Sequence, residues 1–196
     1  MSLVIRKCKL FIIAVLFFLA SCANPFNPDS AQTSNDVAQT VVSTPEATLL
    51  QLENAYNRQD IELYKECLSD SFHFILINSE YSEIGVDMNN DGIKDNWWGF
   101  EQEVNYHENL FTSGSSDGLI PTPVSVNLNL QIPPKSLWEQ ENETGENPVY
   151  IIPCNFDLVL TYSDFQDINA YGYSRFWLIL EDDMWKIYRW QDESNI

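Results

Sequence analysis

Oxygen-bearing side chains spaced two apart are the sharpest chemical signal in the chain. Asp87, Asn89 and Asp91 are followed by Gly92, Ile93 and Asp95. Ca²⁺ takes roughly six to eight hard oxygens, and this spacing gathers three side chains around one centre. Gly92 permits a sharp turn, Ile93 offers its carbonyl, and Asp95 binds directly or through water. Asp, Asn and Gly are also what solvated turns use, which is the alternative reading of the segment. Among titratable groups, Asp157 stands out because it is out of phase with the apolar Cys154, Phe156 and Leu158. A solvent-facing sheet position is its plain reading. His107 falls on the apolar side of a helix, where a hydrogen-bonded core histidine is the first expectation; His73 is expected to face outward from a strand. No Ser/His/Asp set, phosphate loop or zinc spacing occurs, and the two histidines leave little to build one from. Six Trp and nine Tyr suit a packed core or a ligand-contacting surface. Adjacent Trp97 and Trp98 cannot both face inward in an extended segment.

The calcium spacing resembles the first nine positions of an EF-hand or thrombospondin-repeat loop. The departure is position twelve, where those loops carry a carboxylate and this chain has Trp98; the nearest later acid is Glu101. Without a bidentate ligand the expected affinity falls toward the millimolar class, as a structural site pinning the loop. No cofactor is required beyond this structural Ca²⁺.

The first 21 residues carry Arg6, Lys7 and Lys9, then an apolar run from Leu10 to Ala20. That run is about half the length of a membrane-spanning helix and fits the core of a signal peptide. Leu19-Ala20-Ser21-Cys22 resembles the lipobox of bacterial lipoproteins. The resemblance implies cleavage before Cys22, acylation of its thiol, and attachment to the membrane through those acyl chains. Ala23 stands where some lipoproteins carry a retention Asp, so the sorting rule favours the outer membrane, on its periplasmic or surface side. An ordinary secretory signal cut near Ala20 or Ala23 is the alternative.

Residues 22–196 hold 7 Lys and Arg against 29 Asp and Glu. Nucleic acid is excluded as a partner by that balance, because phosphate binding needs a basic face. An anionic membrane surface is disfavoured likewise. Segment 22–43 is polar and aperiodic, a flexible tether behind the lipidated cysteine. The folded domain is expected over 44–196. Thr44-Pro45-Glu46 reads as a helix start, with Leu49, Leu52 and Tyr56 on one face. Asp60 caps a second helix with Ile61, Tyr64 and Leu68 on one face, and Ser71–Ile77 reads as a strand. Phe100, Val104, His107 and Phe111 mark a third helix. Strands are expected over Val124–Ile132, Cys154–Tyr162, Tyr171–Leu180 and Trp185–Trp190, with a polar excursion at 135–148 and a turn at Glu181-Asp182-Asp183. Cys67 and Cys154 are expected as buried free thiols in preference to a disulfide.

This order resembles the NTF2-like superfamily, which includes the SnoaL and ketosteroid isomerase groups. The likeness spans about residues 45–194 and is carried by Ala55-Tyr56-Asn57-Arg58-Gln59-Asp60, Leu68-Ser69-Asp70-Ser71-Phe72 and Trp185-Lys186-Ile187-Tyr188-Arg189-Trp190. It implies an α+β cone, with three N-terminal helices packed on a strongly curved antiparallel sheet. It also implies that a homodimer through the open sheet face is within the family's habit. Ketosteroid isomerases pair a helix-one tyrosine with a carboxylate base, and those positions fall here on Leu52 and Leu76, both apolar. The expectation is therefore a non-catalytic domain binding a small apolar ligand or an envelope partner. The alternative is a pocket-carboxylate enzyme of isomerase, dehydratase or hydrolase type, with Asp157 or His107 as its candidate catalytic groups.

Overall fold

Thr44 is extended and its hydroxyl accepts from the Ala47 N–H, so the first helix, α1 (Pro45–Arg58), starts where its cap and N1 proline dictate. Gln59 ends it in the left-handed region at φ 51°. Asp60 caps α2 (Ile61–Glu66) by accepting from the Leu63 N–H. The computed structural model describes residues 43–77, 84–115, 117–141 and 148–193. The signal segment, Cys22 and all but the last residue of the tether lie outside these residues. The described residues belong to one unit, Thr40–Ile196.

The chain continues through β1 (Leu68–Ile75), β2 (Trp97–Gly99), α3 (Phe100–Glu108) and a π-helical turn at Asn109–Ser113. It then runs into β3 (Ser125–Gln131), a 3-10 turn at Lys135–Leu137 and β4 (Glu139–Glu141). Three long strands complete it: β5 (Val149–Thr161), β6 (Ile168–Glu181) and β7 (Met184–Asp192). One sheet forms in the order β2-β1-β7-β6-β5-β3, with β4 paired to β5. The pairs among β3, β5, β6 and β7 are antiparallel, but β1 lies parallel to β7, so the sheet is mixed. A parallel pair needs a long connection, and here nearly the whole domain intervenes.

Several element bounds differ from those read off the sequence. Leu68 is the first residue of β1, because the backbone there already bonds to β7 through Ile187 N–H and Cys67 C=O. That pairing starts β1 three residues before Ser71. β5 begins at Val149, five residues before Cys154, since β4 and β6 both pair with that stretch. Register shifts between Leu68 and His73 and between Trp177 and Leu178 bend the sheet, as bulges do. The β6–β7 turn is a two-residue hairpin with Asp182 and Asp183 at φ 50° and 62°, a left-handed pair that Asp tolerates.

The concave face carries the core. Leu49, Leu52 and Tyr56 of α1 pack with Val126, Leu128 and Leu130 of β3, Phe176 and Leu178 of β6, and Trp185 and Ile187 of β7. Edge strand β3 is closed by α1 rather than by another strand. The Asn57 side chain accepts from Leu128 N–H (2.6 Å) and donates to Leu128 C=O (3.1 Å), while Glu53 accepts from Leu130 N–H (2.8 Å). Glu53 and Asn57 are one helical turn apart, so a single helix face satisfies an otherwise open edge. Cys67 and Cys154 are both free and buried.

Candidate functional site

Where the helices meet β2, a polar cluster sits inside the apolar packing. Glu103 projects from α3 with 1% exposure. Its two carboxyl oxygens receive the Tyr64 O–H from α2 and the Trp98 indole N–H from β2, each at 2.5 Å. His107, one turn further along α3, places Nδ1 at 2.9 Å from the Glu103 carbonyl, which can only accept, so Nδ1 carries the proton. Nε2 then accepts the Tyr56 O–H at 2.5 Å. The Tyr64 ring stacks on the imidazole with centroids 4.1 Å apart. Burial, reinforced by the Glu103 charge, holds both phenols well above their ordinary pKa, so they stay O–H donors. This accounts for every hydrogen-bonding group of His107 and both oxygens of Glu103. His107 is thus the hydrogen-bonded core histidine that its helical position suggests.

No sequence motif marks Glu103, Tyr64 and Tyr56 as a site. The signal was nonetheless present, for Glu103 lies at i−4 from His107 and at i+3 from Phe100, on the apolar face of α3.

Asp157 lies on the opposite, convex face of the sheet. Residues facing one another across the strands form rows there: Asn129, Asp157 and Tyr171 in one, and Gln131, Asn155 and Tyr173 in the next, with Glu193 beyond Tyr173. All of these but Asn129 line an open groove of about 520 Å³. Asp157 is exposed, with the Gln131 amide 3.5 Å away, and Tyr171 is 81% exposed. Asp157 and His107 therefore do not converge. The tyrosines share one face with Arg175, as their spacing implies, and Arg175 lies 3.6 Å from Glu193. His73 is exposed, and of the paired tryptophans Trp98 is buried against Phe74 while Trp97 packs at the surface beside His73.

The 87–95 segment folds into a tight loop closed by the Val86–Asp95 bridge. Asp87 accepts from the Asp91 and Gly92 N–H groups, Asn89 from Asp91 N–H, Asp91 from Ile93 N–H, and Asp95 from Met88 N–H. Asn90 and Gly92 take the left-handed conformation at φ 58° and 85°. Among the described residues no three His, Cys, Asp or Glu side chains are grouped to hold a metal. Among them, too, no helix is long and apolar enough to cross a membrane.

No family model matches the sequence, and no curated protein is similar to it. Solved structures do resemble the fold. A "putative aromatic ring hydroxylase" from Novosphingobium aromaticivorans is 11% identical over 77% of this chain and 86% of its own, with a TM-score of 0.51. A "putative scytalone dehydratase" from the same organism is 10% identical over 77% and 81%, also at 0.51. A conserved protein from Planctomyces limnophilus is 10% identical over 74% and 89%, at 0.52. At such identities the likeness shows the fold alone, an α+β architecture with helices packed on one curved sheet.

Proposed function

We propose that this NTF2-like chain is a lipid-anchored, extracytoplasmic domain that binds a small ligand or an envelope partner and is not a catalyst. The observation that carries the reading is the saturation of the interior acid–base groups. Both Glu103 oxygens and both His107 nitrogens are engaged by neighbours that are themselves packed. A general base needs a lone pair that substrate can reach: His107 has none free, and the lone pairs left on Glu103 are buried with a residue that is 1% exposed. Asp157, the other candidate, faces outward beside Tyr171, a place suited to recognition rather than to a water-excluding reaction. Anchoring rests on the lipobox and the charged, then apolar, leader, and it favours the outer membrane. Radiolabelled palmitate should enter the wild-type chain and not Cys22→Ser, whose product should move from the membrane to the soluble fraction. Label on the variant would overturn the anchor.

A pocket-carboxylate enzyme is the second reading, favoured by one observation: a carboxyl, two phenols and an imidazole lie in one cluster, the group types such chemistry uses. A reaction catalysed by the wild-type chain and lost in Glu103→Gln, with the fold intact, would establish it. We also propose calcium as a structural ion of the 87–95 loop, held by Asp87, Asn89, Asp91, the Ile93 carbonyl and Asp95. A homodimer is within the habit of the family this chain resembles, and light scattering on the purified chain decides between one copy and two.

A further inference from the structure

We propose that the convex-face groove between β5 and β6 is a binding site for a small organic ammonium ion, held between Asp157 and the ring of Tyr171. The inference rests on the binding reading above and names a ligand class for it. Asp157 and Tyr171 face each other directly across the two strands, a position that sets their side chains roughly 5 Å apart at Cβ. Tyr173 and Asn155 form the next row, about 7 Å further along the strands, with the Gln131 amide beside them.

Charge selects the ligand. Among the described residues Asp157 makes no ion pair, whereas Glu193 at the far side of the groove is met by Arg175 at 3.6 Å and by the Gln191 amide at 3.3 Å. The groove therefore presents one uncompensated carboxylate beside an aromatic face that is 81% exposed. A cation gains from both, because the negative face of a phenol ring attracts it as the carboxylate does. The net charge of −19 adds a field of the same sign, drawing cations and repelling anions. An anion meets Asp157 head-on, and a purely apolar ligand gains nothing from its charge. The groove of about 520 Å³ suits a head group on a short carbon stem.

Choline is the probe, titrated calorimetrically into the purified full chain, with its uncharged carbon isostere 3,3-dimethyl-1-butanol as control. Choline should bind at millimolar concentration or below, and the isostere at least tenfold more weakly. Tyr171→Ala should weaken choline about two- to fivefold, the range set by an exposed cation–π contact. Asp157→Asn should weaken it at least about fivefold, and added salt should weaken the wild-type chain likewise. Both side chains are exposed, so both variants should keep the wild-type melting temperature. Equal binding of the isostere, unchanged affinity in both variants, or heat from a neutral oligosaccharide with none from choline would each overturn the inference. Those outcomes leave the non-catalytic reading standing. That reading fails separately, through turnover lost in Glu103→Gln.

Discussion

Replacing Tyr64 by Phe separates a buried network that holds the fold from one that serves chemistry. Tyr64 is fully buried and Glu103 has 1% exposure, so the substitution removes an O–H donor where water has little access to replace it. The phenyl ring keeps its stack on His107, and the missing atom is too small to leave a cavity of consequence. What is lost is a hydrogen bond to a charged acceptor, worth about 1.5–3 kcal/mol net. Glu103 Oε1 would be left with His107 Nδ1 at 3.5 Å, a poor replacement whose proton already faces a carbonyl. The expected loss is thus about 2–3 kcal/mol, or a fall of roughly 4–12 °C in melting temperature for a domain of this size. Urea unfolding followed by tryptophan fluorescence reads it as a lower midpoint at unchanged slope. Glu103→Gln should cost a similar amount, and the double variant less than the sum of the two, because both changes remove one interaction. A Tyr64→Phe chain within about 0.5 kcal/mol of wild type, or more stable than it, would refute the reasoning. It would mean that the cluster is held at the expense of stability, as active sites often are.

Asn57→Ala should destabilise by about 1–3 kcal/mol, since it strips both hydrogen bonds from the Leu128 backbone at the β3 edge; the same urea assay measures it. Stability should fall as pH rises from about 9 toward 12. Burial pushes the Cys67 and Cys154 thiols up to about 12 in the fold, whereas the unfolded chain releases those protons near 9. The folded state thus holds protons that the unfolded state loses, and each thiol costs about 2 kcal/mol by pH 10.5. Urea midpoints at pH 8 and 10.5 report this, and Cys154→Ala should give the shallower decline. Millimolar Ca²⁺ should raise the melting temperature of the wild-type chain and not that of Asp87→Asn; no rise in either removes calcium from the account.

Local chemistry made much of the fold legible. Thr44 and Asp60 start their helices because their side-chain oxygens meet free N–H groups, a signal contained within four residues. The alternation from Val126 to Leu130 fixed which face of β3 is buried. Pairings between distant segments were not legible. Nothing near Leu68 announces that Ile187 will lie beside it, and the three-residue strands β2 and β4 exist only because β1 and β5 offer them edges. The site divides in the same way. The convex-face tyrosines, Asp157 and Arg175 follow from strand phase alone. The Glu103 cluster draws its donors from three helices and a strand, so Tyr64 and Trp98 meet the carboxyl only after the chain has folded.

Closure of the cone around Glu103 is tested most directly by the exchange of one proton. The Trp98 indole N–H donates to Glu103 in a buried setting, and its resonance can be followed after transfer to D₂O. The account predicts a protected proton that exchanges only when the domain opens, unmoved by added small molecules. Exchange at the rate of free indole would show an interior open to solvent and contradict the closed Glu103 cluster on which the non-catalytic reading rests.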